Sequence, residues 1–461
     1  MHKDRIKIIH KKTTLDNGKY ILYWMQSAQR IHYNHALNYA IDTANKKGLP
    51  LIVLFNIVPS YPEANLRHYT FMLEGLVELT KAFEIKGIEF VITFGEVQNT
   101  ITPYLESSDT LIMDRGYLKP QRKMRNDLYK QITENNYTLD IIQIETEVLI
   151  PVESLYPKAA YGAYVLRPNV MKKMYDYMDY KKDLELINKS KLIVGKSVDI
   201  SNIQNFISKL PIDQSIKPFK KFVGGYSNAV YHLNTFLDEK LKVYDLRSEP
   251  ALHIQSYLSM YVQFGQIDIQ DILNRLFKHP SYKNHGPLAD QFIEQLITRR
   301  ELAYNFVTYH KDYDRFESMT EPWAYETMHA HADDIRTHIY SKDQIENSLT
   351  HDIYFNAAMT EARITGFMAN YMRMYWAKKI MEWSSSMKDA YEIIVYLNNK
   401  YFIDGRNPNS YGNIAWNFGK HDRAWQERPV FGKIRYMNAQ GLVRKFNMEA
   451  YIEYVNTLEK L

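Results

Sequence analysis

Cysteine is absent from the 461 residues of the chain. Its absence excludes disulfides, zinc–thiolate centres and cysteine nucleophiles, and it is typical of proteins from a reducing intracellular compartment. No run of 18 apolar residues occurs either, so we expect no membrane span. The segment Met1–Lys7 is charged and no apolar stretch follows it, so it does not predict a signal peptide.

Several motifs that mark common catalytic and cofactor sites are also missing. The chain has no G-x-G-x-x-G and no G-x-x-x-x-G-K-[ST], so nothing indicates a dinucleotide or nucleoside-triphosphate loop. It has no G-x-S-x-G elbow for a serine nucleophile. His329, His331, Asp333 and Asp334 lie close in sequence but lack a ligand pattern such as H-E-x-x-H, and we expect no metal site.

What is present is the composition of a globular protein that is rich in tyrosine. Hydrophobic residues make up 45% and charged residues 24% of the chain, which excludes a disordered protein. A length of 461 residues suffices for two or three domains. The 37 tyrosines suit stacking surfaces, and the net charge of +5 permits an anionic partner such as DNA where the charges cluster.

The first 150 residues alternate between strand and helix patterns. Helical spacing predicts helices over 33–46 and 69–85, between apolar runs typical of buried strands. The predicted strands are Tyr20–Met25, Leu51–Phe55, Gly87–Gly95, Thr110–Asp114 and Leu139–Glu145. The alternation predicts an α/β N-terminal domain over residues 1–150, built on a doubly wound parallel sheet.

Beyond Pro151 the pattern changes twice. Residues 151–218 carry scattered prolines with many lysines and tyrosines, and we expect a long linker wrapped over the surface. From 219 to 461 nearly every segment has helical spacing, which predicts an all-α domain. The predicted helices include Ala229–Leu241, Ile254–Val262, Asp268–Leu276, Asp290–Asn305, Tyr325–Tyr340, Phe355–Met381 and Met387–Asn399.

The stretch Asn370–Trp383 and the turn that opens at Asp404 are central to the helical half. The stretch contains no Gly or Pro, and Trp376 and Trp383 are two helical turns apart, so they share a face. Arg373 lies almost one turn before Trp376. Two interpretations are open: a buried Arg–Asp ion pair around a polar cofactor, or a core helix followed by a capped loop, which the residue types alone favour.

Two shorter stretches have a chemical and a structural interpretation each. Ser256-Tyr-Leu-Ser259 places hydroxyls at a possible helix start, where backbone N–H groups can hold a phosphate, although an ordinary N-cap is the commoner use. In the helix predicted over 290–305, Glu294, Gln295 and Arg299 either line a cleft or form a solvated face, and the solvated face is the default.

Basic and aromatic residues alternate in the segment 412–436. Its members include Trp416, Lys420, Arg423, Trp425 and Lys433. This mixture suits a groove that follows a nucleic-acid backbone and offers rings as stacking platforms. It equally suits a packed loop and helix with a basic rim, and the residue pattern favours neither.

Together these stretches resemble the class II cyclobutane pyrimidine dimer photolyases. The residues that carry the resemblance are Tyr23–Met25 with Gln29–Arg30, Tyr69–Leu76, Arg299–Phe306, Thr350–Asp352, Tyr371–Lys379, Asp404–Asn409 and Pro429–Met437. The resemblance extends along most of the chain and is densest from 256 to 436, and its last three segments are long and specific.

The resemblance implies a helical domain that holds FAD in a folded shape and a light-driven repair of DNA. Reduced FAD absorbs blue or near-ultraviolet light and donates an electron to a pyrimidine dimer flipped out of the duplex. The dimer then splits and the electron returns. The implied partner is UV-damaged DNA, bound by a cytoplasmic monomer that joins the nucleoid with its substrate. An antenna chromophore such as a deazaflavin is implied for the N-terminal domain, with its identity left open.

Residue roles follow by position from the resemblance. The implied FAD-binding residues are Ser256, Leu258 and Ser259 at the phosphates, Arg373, Asp404 and Gly405 beside the isoalloxazine ring, and Asn398 near its reactive nitrogen. The implied electron-supply residues are Trp376 and Trp383. The implied contacts to the dimer or to DNA are Glu294, Gln295, Arg299, Met374, Trp416, Lys420, Arg423 and Lys433.

Several departures from the family pattern fall at these sites. Phe355 stands where the family usually has a Trp of the electron path, and Gln295 where it has a Glu that contacts the dimer. Phe367, Ala369 and Asn370 replace a more usual Lys, His and Gly. The N-terminal departures are Gln26–Arg30, which lacks an Arg-Asp pair, and Tyr33 in place of an Asp. The departures favour an alternative function as an FAD-binding photoreceptor, or a divergent relative without dimer repair, but the matching residues favour repair.

Overall fold

A computed structural model describes residues 1–12, 18–190 and 194–460 of the chain. A six-stranded α/β layer forms the N-terminal part, and helices form nearly all of the rest. This architecture confirms the fold class expected from the sequence. The division at residues 150 and 218 stays a prediction.

The sheet is mostly parallel. Its strands are Ile6–His10 (β1), Tyr20–Met25 (β2), Leu51–Ile57 (β3), Glu89–Phe94 (β4), Ser108–Asp114 (β5) and Asp140–Ile144 (β6). They lie in the order β1-β6-β5-β2-β3-β4, and β2 to β6 run parallel. Every residue of β2, β3 and β5 is buried, as expected of strands covered by helices on both faces. Strand β1, which was not predicted, pairs antiparallel with β6 at the sheet edge.

Helices cover both faces of the sheet, and their ends follow local signals. They are His35–Lys47 (α1), Leu66–Lys86 (α2), Val97–Thr100 (α3) and Lys119–Glu134 (α4). Asn34 caps α1 by accepting a hydrogen bond of 2.9 Å from the Leu37 amide. Gly48, with φ of 68°, ends α1 in the left-handed conformation that glycine adopts without strain. The sequence therefore located this helix to within two residues.

The segment 151–218 contains more regular structure than expected. It includes Val152–Leu155 (α5), Ala163–Tyr177 (α6) and Ile203–Ile207 (α7). Helix α6 buries Leu166, Val170 and Met174 in one hydrophobic cluster with residues of the helical half, so this stretch contains a packed helix that the sequence analysis did not predict. The helix escaped the sequence analysis because it contains Pro168 and because its exposed face also carries large apolar side chains.

The helical half contains fourteen further α-helices within the described residues. They are Tyr226–Thr235 (α8), Leu258–Gln263 (α9), Ile269–Lys278 (α10), Pro280–Asn284 (α11), Gly286–Ile293 (α12), Arg300–Tyr309 (α13), Pro322–Ala330 (α14), Lys342–Glu346 (α15), Ile353–Thr365 (α16), Asn370–Trp383 (α17), Met387–Tyr401 (α18), Pro408–Asn417 (α19), Ala439–Val443 (α20) and Met448–Leu458 (α21). Two π-helical segments, Phe236–Lys240 and Glu294–Arg299, interrupt this series.

Three of the long predicted helices are interrupted or shortened. The predicted Phe355–Met381 helix is two helices, because Gly366 ends α16 with φ of 73° and α17 begins at Asn370. The predicted 290–305 helix passes through the π segment Glu294–Arg299. The predicted 325–340 helix stops at Ala330, after which the chain turns.

One arginine ties the sheet layer to the helical half. Arg67 of α2 is 2% exposed, and its guanidinium donates to the carbonyls of Ala362 (3.2 Å) and Ile364 (2.9 Å) at the end of α16. It also donates to the Tyr401 carbonyl (2.9 Å) at the end of α18. The last carbonyls of a helix lack partners within the helix, so a buried cation there satisfies them and matches the helix dipole. Arg67 therefore fixes two helix ends at once.

Within residues 1–12, 18–190 and 194–460, no helix is both long enough and apolar enough to span a membrane. In the same part of the chain, no three or more His, Cys, Asp or Glu side chains come together as a metal site.

Candidate functional site

The ion pair that the sequence suggested forms between α17 and the turn after α18. Arg373 Nη2 lies 3.2 Å from Asp404 Oδ2, in hydrogen-bonding geometry, and 3.0 Å from Oδ1. The contact to Oδ1 lacks that geometry, so Oδ1 is buried without a hydrogen bond. Arg373 Nε donates to the Met368 carbonyl (2.9 Å), and the guanidinium carbon lies 4.1 Å from the centre of the Phe402 ring. A cation and a carboxylate oxygen with spare accepting capacity are thus held at a partly open position, since the Arg373 side chain is 25% exposed.

The turn that carries Asp404 is fixed by close packing. A Cβ on Gly405 would lie 2.8 Å from the Asn398 carbonyl oxygen and 2.9 Å from that of Phe402, so only glycine fits there. Gln263 of α9 donates to the Gly405 carbonyl (3.2 Å). Asn398, on α18, is buried, and its amide donates to the Asn399 side chain (3.1 Å). The turn therefore joins α9 and α18 beside the ion pair.

The Ser256–Ser259 stretch lies next to the same ion pair. Tyr257 has φ of 57°, and α9 begins directly after it. Ser256 Oγ accepts from the Leu258 amide (3.4 Å), and Leu258 is buried whereas Ser259 is exposed. The Tyr257 ring contacts that of Phe367 at 4.9 Å, and Phe367 lies 5.7 Å from the Arg373 guanidinium carbon. The structure thus brings the predicted phosphate stretch and the ion pair into one site.

A buried acid near this site escaped the sequence analysis. Glu361 of α16 is 3% exposed and accepts a hydrogen bond of 2.6 Å from the Tyr451 hydroxyl of α21. Burial raises the pKa of Glu361 to about 7, although the Tyr451 hydrogen bond and the charge of Arg373 oppose this. No local motif marks Glu361, because its partners come from distant helices.

The two tryptophans of α17 have different neighbours. Trp376 is buried, and its indole N–H points at the Met359 sulfur at 3.2 Å. Trp383 is 1% exposed and contacts the rings of Phe355 at 5.2 Å and Tyr340 at 5.6 Å. Among the described ring pairs, none links Trp376 to Trp383. Phe355, the position where the family usually has Trp, therefore lies against Trp383.

Tyr340 and His351 extend the aromatic group around Trp383 outward. The Tyr340 hydroxyl and His351 Nδ1 are 2.8 Å apart, and the His351 ring lies 5.1 Å from that of Trp383. Lys379 places its ammonium 5.4 Å from the Trp383 ring centre. The outward end of α17 is therefore surrounded by oxidisable and titratable rings.

We call the segment 412–436 the basic and aromatic run. An arginine to which the sequence analysis gave no role organises it. The Arg435 guanidinium carbon lies 5.0 Å from the Trp416 ring centre and 4.1 Å from that of Trp425. Asp422 accepts from Arg435 Nε (3.0 Å) and Nη2 (3.3 Å). Arg423 is exposed and lies 5.2 Å from the Trp425 ring centre. The run thus forms a stacked surface that presents a cation.

The predicted DNA contacts differ in exposure. Arg423 and Lys433 are exposed, and Trp416 and Met374 are partly exposed. Lys420 is 3% exposed, and its ammonium donates to Glu321 (2.6 Å). This buried position contradicts the phosphate contact expected of Lys420. A buried lysine already paired with a carboxylate cannot also serve a phosphate.

Glu294, Gln295 and Arg299 lie along the π segment. Gln295 and Arg299 are exposed. Glu294 accepts two hydrogen bonds from Arg167 of α6, at 3.1 and 2.8 Å, and lies 3.3 Å from Arg299 Nε. Arg167, to which the sequence analysis gave no role, therefore pairs with the carboxylate of Glu294, the residue next to Gln295.

A cavity of about 150 Å³, which we call the interlayer cavity, lies between the sheet layer and the helical half. Aromatic side chains line it, among them Tyr61 and Phe264. Gln26 and Gln29 also line it, and the side-chain carbonyl oxygen of each is buried without a hydrogen bond. Arg406, next to Gly405 in the turn, lines the same cavity. Unpaired buried acceptors are costly, so the cavity suits a flat ligand with N–H or O–H donors.

Comparisons with known proteins cover the whole chain. The family model described as DNA photolyase matches residues 21–183. A deoxyribodipyrimidine photo-lyase of Methanothermobacter thermautotrophicus is 36% identical over 99% of this chain and 99% of its own. The protein of the same name from Arabidopsis thaliana is 35% identical over 95% and 89%, and that from Potorous tridactylus 31% identical over 98% and 84%.

Solved structures share the fold at low sequence identity. A class III photolyase from Agrobacterium tumefaciens gives a TM-score of 0.70 at 17% identity, covering 96% of this chain and 87% of its own. A Synechocystis cryptochrome gives 0.73 at 15% identity, covering 96% and 89%. A Sulfolobus tokodaii photolyase that holds two FAD molecules gives 0.63 at 15% identity, covering 95% and 99%.

Proposed function

The chain belongs to the photolyase/cryptochrome family, and we propose that it is a light-driven deoxyribodipyrimidine photo-lyase that repairs cyclobutane pyrimidine dimers in DNA. Relatives of that name are 31% to 36% identical to it and match 95% or more of this chain. The observation that carries the proposal is this identity along nearly the full length, and the Arg373–Asp404 pair with its unpaired Oδ1 supports the flavin site that repair needs.

The residues around that pair fit FAD. A buried carboxylate oxygen without a hydrogen bond suits an N–H donor of a bound ring, and Arg373 supplies a compensating positive charge. The tight packing of Gly405 against the Asn398 and Phe402 carbonyls fixes the turn that presents Asp404. Ser256, Leu258 and Ser259 would hold the phosphates, and Asn398 would contact the ring. Reduced FAD, when bound, supplies the excited electron that splits the dimer.

The chain's own side chains would position the substrate. Trp416 and Met374 are partly exposed and would border the flipped dimer. Arg423 and Lys433 are exposed and would bind phosphates or occupy the gap that the flipped bases leave. Trp376 and Trp383 would supply electrons that keep the flavin reduced, with Phe355 as the weak member of that route.

The interlayer cavity supports an antenna chromophore of the deazaflavin type. Such a ring is flat and carries N–H groups, which match the aromatic lining and the unpaired oxygens of Gln26 and Gln29. The absorption spectrum of purified protein reports this directly, because a deazaflavin absorbs apart from reduced FAD. A spectrum accounted for by FAD alone, even after addition of a deazaflavin, would remove the antenna from the proposal.

A second candidate function is an FAD-binding blue-light photoreceptor without dimer repair. It is favoured by Gln295, which is exposed and uncharged where the family has a carboxylate, while Arg167 holds the adjacent Glu294. Phe355 and Asn370, which also depart from the family pattern, favour the photoreceptor as well. Both functions use the same flavin site, so they differ only in what happens to bound DNA.

Repair of a defined substrate separates the two. Purified protein with reduced FAD is mixed with oligothymidine that contains dimers, and blue light is applied. A photo-lyase restores the thymine absorbance, and a matched dark sample does not. Protein that binds FAD but restores no absorbance would exclude repair and leave the photoreceptor.

A further inference from the structure

The start of α6 and the loop before it form an exposed surface that the proposed function leaves unused. We call Lys158, Tyr161, Tyr164 and Arg167 the α6 surface. Tyr161 is 48% and Tyr164 63% exposed, and Lys158 and Arg167 are exposed as well. The two tyrosine rings are 6.5 Å apart at an angle of 62°. Neighbouring exposed rings of this kind point to a binding role rather than to packing.

The α6 surface belongs to a segment that carries positive charge only. Between Glu153 and Asp176 the sequence contains four cations and no acid. The cations are Lys158, Arg167, Lys172 and Lys173. Arg167 also neutralises Glu294, whose carboxylate would otherwise repel a phosphate. Aromatic rings set among cations match single-stranded nucleic acid, where bases stack and phosphates pair with lysine and arginine.

Hydrogen bonds hold the α6 surface against the basic and aromatic run. His421 Nδ1 donates to the Tyr161 carbonyl (2.7 Å), and His421 directly precedes Asp422 and Arg423. Asn305 of α13 donates to the Lys158 carbonyl (2.9 Å) and accepts from the Ala160 amide (2.8 Å). The α6 surface is therefore fixed in place and continuous with the residues that we propose face DNA.

We propose that the α6 surface binds the damaged strand beyond the dimer pocket, with bases on Tyr161 and Tyr164 and a phosphate on Lys158, while Arg167 neutralises Glu294 beside that path. This inference rests on the proposed function, because it needs DNA at the neighbouring run. Because the α6 surface is fixed to both Glu294 and His421, it would bind the next nucleotides of a strand that leaves the dimer pocket toward α6. This contact would raise the affinity for DNA and leave the repair reaction unchanged.

The length of the flanking strand tests this proposal. Two labelled oligothymidines carry one central dimer, with flanks of about ten or about two nucleotides, chosen around the usual reach of a single-strand site. Tyr161→Ala with Tyr164→Ala should weaken binding of the long oligonucleotide roughly tenfold and leave the short one unchanged. Lys158→Ala should lower the number of salt ions released on binding of the long oligonucleotide by about one. Fluorescence anisotropy measures both.

A matched control lies farther along the same helix. Met171 and Tyr175 are both 62% exposed on α6 but lie about one and two turns beyond Arg167, the last residue of the α6 surface. Met171→Ala with Tyr175→Ala should leave both affinities unchanged, and thermal melting checks that each variant is folded.

Two outcomes would overturn the proposal. Equal affinity of wild type and the Tyr161/Tyr164 variant for the long oligonucleotide would show that the strand does not reach the α6 surface. Equal weakening for both lengths would show a disturbed pocket instead. If wild type itself does not prefer the dimer oligonucleotides over undamaged ones, the proposed function fails, and that result is separate from either outcome.

Discussion

The two ends of α17 differ in how they are surrounded. At its start, Arg373 is 25% exposed and meets a carboxylate with an unpaired oxygen. At its end, Trp383 is 1% exposed and is enclosed by the rings of Phe355, Tyr340 and His351. The first end is partly open to solvent and keeps a spare acceptor, whereas the tryptophan at the second end is packed among rings. The two positions lie about 15 Å apart, from ten residues at the helical rise, and the proposed function gives flavin binding to the first and electron supply to the second.

The largest effect is expected at the open end. Asp404→Ala leaves Arg373 without its carboxylate and removes the unpaired acceptor. Truncating one partner of a hydrogen-bonded charge pair costs about 2–5 kcal/mol, so FAD affinity should fall by roughly 30-fold to several thousand-fold. Flavin absorbance retained through gel filtration measures the loss.

The control for that change is an exposed ion pair of the same half. Glu317 lies 2.7 Å from Lys388, and both side chains are more than half exposed. Glu317→Ala should leave FAD retention unchanged, because exposed pairs contribute little. Full FAD retention by Asp404→Ala would mean that the ion pair does not belong to the flavin site.

Glu361 makes the open end sensitive to pH. Its folded pKa of about 7 lies above the usual 4.5, so the folded state binds the extra proton. The resulting stability is complete below about pH 4.5 and is lost as the pH rises through about 7. Between these values, the free energy of unfolding should fall by roughly 3 kcal/mol more in wild type than in Glu361→Gln.

Urea unfolding at a series of pH values measures this difference. Burial raises the pKa of Glu301 to about 7 too, but Glu301 is present in both proteins, so the comparison isolates Glu361. Parallel pH profiles for wild type and Glu361→Gln would contradict the raised pKa.

A smaller effect is expected at the enclosed end. Phe355→Trp replaces a ring that is hard to oxidise by one that is easier to oxidise, 5.2 Å from Trp383. Photoreduction of oxidised FAD under blue light should become several-fold faster, as followed by its absorbance. Phe418 is equally buried among aromatic rings, near Tyr391, so Phe418→Trp controls for overpacking. Equal rates in all three proteins would show that electrons reach the flavin by another route.

Local patterns predicted the elements whose signals lie within one segment. Strand β3 and helix α17 follow from apolar runs and helix-forming residues. The contact of Arg373 with Asp404 was one of two interpretations that the residues left open, and only the resemblance favoured it, because no periodicity relates residues on either side of α18.

Features that depend on distant partners could not be predicted. The sequence predicted Lys420 as a DNA-facing cation, but the structure pairs it with Glu321, the residue that directly precedes α14. Glu361 gave no signal because Tyr451 comes from α21. Helix α6 was hidden by Pro168 and by tyrosines that face solvent. In each case tertiary contacts, rather than local propensity, set the outcome.

Arg67 has a consequence for how the molecule melts. The helix ends that it holds lead directly into Arg373 on one side and Asp404 on the other, and Ile403 donates to the Gly366 carbonyl between them (3.0 Å). Loss of the sheet layer would strip these helix ends of their cation. We therefore expect heat to unfold the whole chain in one calorimetric transition, and Arg67→Met to split it into two. A single transition in that variant would show that other contacts carry the cooperativity.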